Sequence, residues 1–327
     1  MRLRSIFAMM VMLAAAAAMP ARACAQDTVA AAATGMRAPE EEPVLKHALG
    51  PADLIMPHIT DSRTLEIPWF NKEWAREVHL PSWPVRIGNT TIDMGPTKHV
   101  VFMLLAAALC LLVMVGTARA HVRASREHGH PKGMAAGMEG VVLYLRNEIF
   151  LPAIGPHGDA YVPFVLSLFF FILFMNLMGL IPYGSTPTGN VSVTAMLAIC
   201  AFVATEVAGM KAQGVGYLKT VFYWPSDLPV AMKLPLTLVM TPVEIIGKFT
   251  KPFALTIRLF ANMTAGHVIV LAMIGLVFTF GSWLIAPAPI AMAIGIMILE
   301  VLVSFIQAFI FALLTAVFIG QIRAAHH

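Results

Sequence analysis

Charged residues are scarce in this sequence. Asp, Glu, Lys and Arg together make up 12% of the 327 residues, about half the share found in soluble globular domains. Hydrophobic residues reach 58%, and the mean hydropathy is +0.77. This balance excludes an ordinary soluble enzyme and predicts a polytopic membrane protein. The basic residues form no patch, so the net charge of +4 indicates membrane orientation rather than nucleic-acid binding.

Cysteine is almost absent, and several catalytic motifs are missing. Cys24, Cys110 and Cys200 show no CxxC spacing, so neither a disulfide framework nor a metal site is predicted. The chain also has no GxxxxGK[ST] phosphate loop, no HExxH motif and no HxxxH motif. These absences argue against a site that makes or hydrolyses ATP and against a zinc enzyme. No cofactor is predicted.

Residues 1–25 are typical of a secretory signal peptide. Two arginines precede an apolar core at residues 6–18, and an Ala-Cys-Ala cleavage pattern follows at residues 23–25. The alternative is an uncleaved membrane anchor. Residues 26–98 are polar to mixed and rich in proline. They predict a partly disordered periplasmic segment with a short hairpin around VRIGNTTIDM.

Five long apolar segments follow and predict an all-α fold of about five membrane-spanning helices in a membrane domain at residues 99–323. The segments cover residues 100–118, 161–183, 191–210, 236–280 and 290–320. Amphipathic stretches at 137–155 and 221–233 are predicted to lie on the cytoplasmic face. The last two spans are predicted to form a long tilted hairpin, in which Pro242 and Pro252 offer sites for kinks.

Basic residues predict the orientation of the chain. Arg119, Arg123 and Arg126 follow the first span, and short loops rich in Arg and Lys stay on the cytoplasmic side. The amino terminus is then periplasmic, and the tail at residues 324–327 is cytoplasmic. With the signal sequence, this predicts a multi-pass protein of a bacterial inner membrane.

A few ionisable side chains lie inside the last two spans, where charges are costly. Arg258 stands in the run from Pro252 to Phe280, whose only other ionisable residue is His267. An arginine stays protonated, and at a bilayer centre it costs about 2.5–3.5 kcal/mol. Glu300 lies in the middle of the last span. Arg258 and Glu300 together favour ion conduction, because intramembrane ionisable residues mark ion pathways.

Helical periodicity arranges the polar residues of the hairpin in two stripes. Arg258 and Asn262, four residues apart, share one face of the first arm, and Glu244 extends that face toward the cytoplasm. Glu244 is alternatively an interfacial charge at the helix end. One face of the second arm carries Glu300, Ser304 and Gln307.

In an antiparallel hairpin, facing residues have position numbers with a nearly constant sum. Arg258 with Gln307 gives 565 and His267 with Glu300 gives 567, so both pairs fit one register within half a turn. The two stripes are therefore predicted to face each other across the membrane. His267 and Gln307 also have ordinary interpretations, since a buried histidine is often structural and glutamine often bonds neighbouring helices. Glu300, in the middle of a span, has no such interpretation.

Three segments resemble one known family. They are KPFALTIRLFANMTAGH (251–267), EVLVSFIQAFIFALLTAVFIG (300–320) and NLMGLIPYGSTPTGNVSV (176–193). On these segments the chain resembles subunit a of the F-type ATP synthase, the static proton-channel subunit of the membrane sector. The RLFxNMxAGH run is highly specific, and the resemblance covers roughly residues 100–323.

The resemblance implies that Arg258 meets an ionisable carboxylate on each subunit of a rotor. Asn262 and Gln307 correspond to polar neighbours of that arginine. The implied partners are the ring of c subunits, peripheral-stalk b subunits, other ATP synthase subunits and membrane lipid, with no nucleic acid. The chain would couple proton flow to rotation and would not itself be an enzyme.

The resemblance also implies two offset half-channels. His267 and Glu300 correspond to a pair in the half-channel open to the outside, and Glu244 corresponds to an acidic residue of the cytoplasmic half-channel. The outer route is expected to be lined further by Asn176, Asn190 and Ser304. Histidine favours protons over sodium, although the rotor subunit holds the ion site.

Two other classes of function are alternatives. A stand-alone secondary transporter often shows internal repeats, whereas no repeat relates the halves of this sequence, and five spans fit an inverted repeat poorly. A membrane-embedded enzyme would need a nucleophile with its base or a set of metal ligands, and the sequence presents neither pattern.

Overall fold

A computed structural model describes most of the chain from residue 61 onward. The described residues are 61–62, 64–68, 75–82, 84–87, 90–93, 95–126, 132–181, 184–217, 230–280 and 284–324. The predicted signal peptide, the predicted disordered start and most of the predicted connector at 221–233 lie outside these residues.

Two β-hairpins precede the helices. β1 (Thr64–Pro68) pairs antiparallel with β2 (Ala75–His79), and β3 (Pro84–Ile87) pairs antiparallel with β4 (Thr90–Asp93). The second hairpin confirms the one predicted around VRIGNTTIDM, where apolar residues flank a Gly-Asn pair. The first hairpin was not predicted. The all-α architecture is therefore confirmed for the membrane part, whereas residues 64–93 contribute strands.

Seven α-helices follow within the described residues. They are α1 (Lys98–Arg126), α2 (Met134–Tyr144), α3 (Leu151–Ile154), α4 (Val162–Gly179), α5 (Val191–Gln213), α6 (Val230–Phe280) and α7 (Pro287–Ala324). A π-helix, Leu145–Phe150, joins α2 to α3, and 3-10 turns occupy Pro187–Gly189 and Gly214–Tyr217. Helices α1, α4, α5, α6 and α7 are long and apolar enough to cross a membrane. Their number agrees with the five predicted spans.

Local signals explain several helix ends. Asn190 caps α5, because its side-chain oxygen accepts a hydrogen bond of 2.9 Å from the backbone nitrogen of Ser192. Helix α5 ends where Gly214 takes a φ of 55°, which glycine adopts without steric cost. Pro163 stands in the first turn of α4, where a helix does not need the missing N–H.

The hydrophobic core lies among α1, α4, α5 and α7. Its buried side chains include Met103, Phe169, Ile172, Met175, Leu197 and Phe311. Helix α6 packs against α5 and α7, but large apolar side chains such as Leu238, Phe249 and Phe253 remain exposed. In a membrane such a face contacts lipid or another apolar subunit.

Helix α6 is too long to cross a membrane upright. Its 51 residues extend about 75 Å at about 1.5 Å per residue, more than twice a hydrocarbon core of about 30 Å. Pro235, Pro242 and Pro252 lie inside this helix without ending it. The excess length therefore requires a strong inclination or a stretch that lies along the interface.

Candidate functional site

Polar side chains gather at both ends of the helix bundle and between α6 and α7. The end formed by Asp61 and the starts of α1 and α5 is called the Asp61 end. The opposite end, formed by the start of α6 and the end of α7, is called the Glu244 end.

Arg258 and Gln307 connect α6 to α7 near the middle of this hairpin. Gln307 is 4% exposed, and its Nε2 donates a hydrogen bond of 2.7 Å to the backbone oxygen of Arg258. This contact agrees with the register predicted from the position numbers. The side chain of Arg258 is exposed at the surface of the single chain, and so is that of Asn262 one turn further along α6. The backbone of Arg258 thus contacts α7, while the side chain of the same residue lies outside the bundle.

Glu300 lies buried against α6 at the next level of the hairpin. Its residue is 7% exposed, and a Cβ atom added to Gly266 would lie 2.9 Å from Oε1 of Glu300. The absence of a side chain at Gly266 therefore lets the carboxylate approach the helix. The half-buried His267 is the next residue. The register predicted His267 opposite Glu300, and the structure places Gly266, one residue earlier, beside the Glu300 carboxylate.

A buried polar group links α4, the 3-10 turn and α7. The Thr188 hydroxyl donates to Oδ1 of Asn176 at 2.7 Å, and Nδ2 of Asn176 donates to the backbone oxygen of Ser304 at 3.3 Å. All three residues are at most 1% exposed. The Ser304 hydroxyl has no hydrogen-bond partner in the described part of the chain. Thr188 was not predicted as a site residue, because it lies between two predicted spans.

The Asp61 end carries a carboxylate, an imidazole and an amide in contact. Oδ1 of Asp61 lies 2.7 Å from Nδ1 of His99, and Oδ2 accepts a hydrogen bond of 3.2 Å from Asn190. Burial raises the pKa of Asp61, but the hydrogen bonds and charge of His99, with a hydrogen bond from Thr97, outweigh it and leave that pKa below its ordinary value. Neither Asp61 nor His99 was predicted, because they are far apart in sequence and Asp61 precedes the spans.

A cavity of about 240 Å³ opens at the Glu244 end between α5, α6 and α7. Glu244 lines it together with Glu206 and Lys248. Nζ of Lys248 lies 3.4 Å from Oε2 of Glu206 and donates to the Tyr217 hydroxyl at 2.9 Å. Glu206 was not predicted as a site residue, although an acid inside an apolar span is itself a signal.

Not every predicted residue joins one cluster. Glu244 precedes Arg258 by 14 residues, which is about 21 Å along a helix, so these two side chains do not meet. Within the described ranges, no group of three or more His, Cys, Asp and Glu side chains is placed to hold a metal ion. The arrangement consists of two polar regions at opposite ends, with an exposed cation between them.

Comparison with known proteins gives a consistent result. The family described as ATP synthase A chain matches residues 100–320. A protein of Chloroherpeton thalassium named ATP synthase subunit a is 44% identical over 244 residues, which cover 75% of this chain and 70% of that protein. ATP synthase subunit a 2 of Chlorobaculum tepidum is 44% identical over 297 residues, or 90% and 78% of the two chains. ATP synthase subunit a of an Anaeromyxobacter species is 40% identical over 84% of this chain and 71% of its own.

Proposed function

Because the chain belongs to the family of ATP synthase subunit a, a subunit of the membrane sector, we propose that it is the stationary proton channel of that sector. Two offset half-channels, one open at each end of the bundle, lead protons to the carboxylates of a rotating ring of c subunits. Proton flow through the half-channels drives the rotation of the ring.

One observation carries this proposal: the side chain of Arg258 is exposed on α6 between two separate polar regions. Toward the Asp61 end lie the buried Glu300 and Asn176, and toward the other end lies the cavity lined by Glu244. A permanent cation at mid-depth in lipid costs about 2.5–3.5 kcal/mol. The guanidinium therefore requires an anionic partner, and a carboxylate on a passing c subunit meets that need.

The chemistry of the rotor carboxylate explains why the fixed residue is an arginine. A carboxyl group that faces lipid is neutral, because burying an anion is costly. Beside Arg258 the same group ionises, because a nearby cation favours the charged form. It gives its proton to one half-channel and takes another from the second after almost a full turn. Arg258 blocks direct passage, since it repels protons and cannot donate its own, whereas a buried lysine can lose its proton.

Each half-channel has its own set of side chains in this proposal. The Asp61 end opens to the periplasm, because the basic residues after the first span belong on the cytoplasmic side. His267 and Glu300 relay protons there, since an imidazole both takes and gives protons near neutral pH. Asn176, Asn190 and Ser304 line the outer route, and Asn262 and Gln307 support Arg258. Glu244 serves the cytoplasmic half-channel.

The chain does not make ATP itself in this proposal. Each proton that crosses 100 mV releases about 2.3 kcal/mol, so several protons are needed for each ATP formed elsewhere in the complex. The chain acts together with the c ring, the b subunits of the peripheral stalk and the remaining ATP synthase subunits, in a bacterial inner membrane.

Substitution of Arg258 tests the proposal. We expect Arg258→Ala to abolish ATP-driven proton pumping in inverted membrane vesicles while the complex remains assembled, because the rotor carboxylate loses its cation. Arg123→Ala is the matched control, since Arg123 is exposed in the last turn of α1. It should pump normally.

Two results would contradict the proposal. Normal pumping by assembled Arg258→Ala complex would show that the arginine has no role in coupling. Ion transport by the purified chain alone in proteoliposomes, without c subunits, would instead favour a stand-alone carrier. Quantifying the complex by immunoblot separates loss of pumping from loss of assembly.

A further inference from the structure

Asp61 joins three elements of the chain at the Asp61 end. One oxygen of its carboxylate lies 2.7 Å from the imidazole of His99 at the start of α1. The other accepts a hydrogen bond of 3.2 Å from Asn190, the capping residue of α5. The His99 side chain is 4% exposed and that of Asp61 is 21% exposed. Solvent therefore reaches the pair at Asp61, while the imidazole is enclosed.

Helix capping alone does not account for this arrangement. The backbone nitrogen of Lys98 donates to the backbone oxygen of Ser62 at 3.0 Å, and that of His99 donates to Asp61 at 3.4 Å. These contacts already satisfy the first turn of α1 in the usual way. A cap does not require the additional contacts of the carboxylate with the imidazole and with Asn190.

Polar groups continue from this pair into the bundle. Asn190 lies two residues after Thr188, whose hydroxyl donates to Asn176. Asn176 in turn donates to the backbone of Ser304, and Ser304 lies about one helical turn from Glu300 on α7. Polar residues of the 3-10 turn, α4 and α7 thus follow one another from Asp61 toward the buried carboxylate, with side-chain hydrogen bonds at the steps from Thr188 to Asn176 and from Asn176 to Ser304.

Few other charges face the pair among the described residues. Lys98 is buried beside His99. Helix α1 packs against α2, α4 and the turn Pro187–Gly189, and the last two carry no ionisable side chain. Glu139 of α2 lies 3.2 Å from His121, which is about 33 Å along α1 from His99.

We propose that Asp61 and His99 form a proton-collecting pair at the outer mouth, so that the segment before α1 is part of the proton route. Asp61 takes a proton from outside water, passes it inward toward Thr188 and Asn176, and returns to its anion, with no net change in the pair. His99 positions the carboxylate and favours its anionic form between protons. This inference rests on the proposed function and adds residues to the same route.

Two substitutions test the pair in complete complexes reconstituted into proteoliposomes. We measure proton flow driven from the outer side at a series of outer pH values. Asp61→Asn removes the collecting group, so we expect about tenfold slower flow, less than the roughly 10²–10⁴-fold effect of a positioned proton donor because water also reaches the mouth. His99→Gln removes the imidazole that lowers the pKa of Asp61, while burial still raises it. The pKa of Asp61 should therefore rise, and the pH profile of proton flow should move to higher pH.

A matched control makes the same change in an exposed ion pair. Asp159 lies 2.8 Å from Arg146, and its side chain is 64% exposed, so Asp159→Asn should leave both the rate and the pH profile unaltered. Unaltered profiles in both test variants would overturn the inference. Equal losses of assembled complex and of proton flow in both variants would also overturn it, because the pair would then only anchor the segment.

The test separates this inference from the proposed function. If Arg258→Ala blocks pumping and the Asp61 and His99 variants behave like the parent, the inference alone fails. If Arg258→Ala complexes pump normally, the proposed function fails, and the inference fails with it. A shift of the pH profile in His99→Gln with normal assembly supports both.

Discussion

Replacing Asn176 by leucine should destabilise the bundle by a calculable amount. Asn176 is 1% exposed, donates to the backbone of Ser304 at 3.3 Å and accepts from Thr188 at 2.7 Å. Hydrogen bonds between membrane helices average about 0.6 kcal/mol, with a maximum of about 1.7 kcal/mol. The fully buried Thr188 hydroxyl also loses its acceptor, which costs about 1–3 kcal/mol. We expect the free energy of unfolding to fall by about 2–4 kcal/mol in total.

A second substitution identifies the source of that loss. In the double variant Asn176→Leu with Thr188→Val, two apolar groups of similar shape replace the hydrogen-bonded pair, and no hydroxyl is left unpaired. About 1–3 kcal/mol should therefore return. SDS titration in mixed micelles, followed by circular dichroism, measures the free energies of unfolding. Thr188→Val alone is measured as well. If the loss in the double variant equals the sum of the losses in Asn176→Leu and in Thr188→Val, the hydrogen-bond reasoning is refuted.

Proton flow in the same double variant tests the functional role of Asn176. We expect the variant to assemble like the parent chain but to conduct protons more slowly, because apolar side chains would interrupt the proposed outer route. Proton pumping in inverted vesicles, at matched amounts of complex, measures this difference. Full pumping would show that Asn176 only connects helices.

Two glycines predict different outcomes for the same substitution. In Gly266→Ala the new Cβ would lie 2.9 Å from Oε1 of Glu300, the movable end of a side chain, so we expect several-fold slower pumping in vesicles with a normal amount of chain. In Gly179→Ala it would lie 1.4 Å from Oγ1 of Thr186 and 3.1 Å from its Cα, so the backbone must move. We expect a destabilisation of at least about 1–3 kcal/mol, visible as less chain in the membrane on immunoblots. Gly116→Ala, which meets no atom within 4 Å, is the control for both. Unaltered pumping in the first variant, or a normal amount of chain in the second, contradicts the corresponding contact.

The hydrophobic pattern predicted the spans better than their ends. Helix α1 continues to residue 126, eight residues beyond the predicted end of its span at residue 118. Helix α6 begins at residue 230 rather than at 236. The apolar run indicates which residues leave water, whereas backbone hydrogen bonds decide where a helix ends, and exposed basic residues continue a helix readily.

The same distinction explains the strands. The β3–β4 hairpin was predictable because a Gly-Asn pair separates short apolar stretches. The β1–β2 hairpin was missed because residues 69–74 between its strands contain no glycine or proline. Asn71 is the one common turn residue there, and a single asparagine is a weak local signal, so the pairing of the two strands is what reveals the hairpin.

Within the hairpin of α6 and α7, helical spacing was sufficient to pair Gln307 with Arg258. Spacing gave no means of finding Asp61 beside His99, or Lys248 beside Glu206. Residues on two antiparallel helices with a short connection have a calculable register. For contacts that involve an irregular segment or a distant helix, no register can be calculated from the sequence.

The amino-acid sequence by itself determined that this protein lies in a membrane, that five apolar segments after residue 98 are long enough to span it, and that a permanent cation stands in the fourth of them. Run length, helical period and residue type are local properties, so they can be read without knowing which helices are neighbours. Only the tertiary structure decided that Gln307 is enclosed while the side chain of Arg258 faces outward, and that Asn176 bonds a backbone oxygen 128 residues away. A helical wheel gives the angle between two side chains, but the packing of the other helices determines which angle points to the interior.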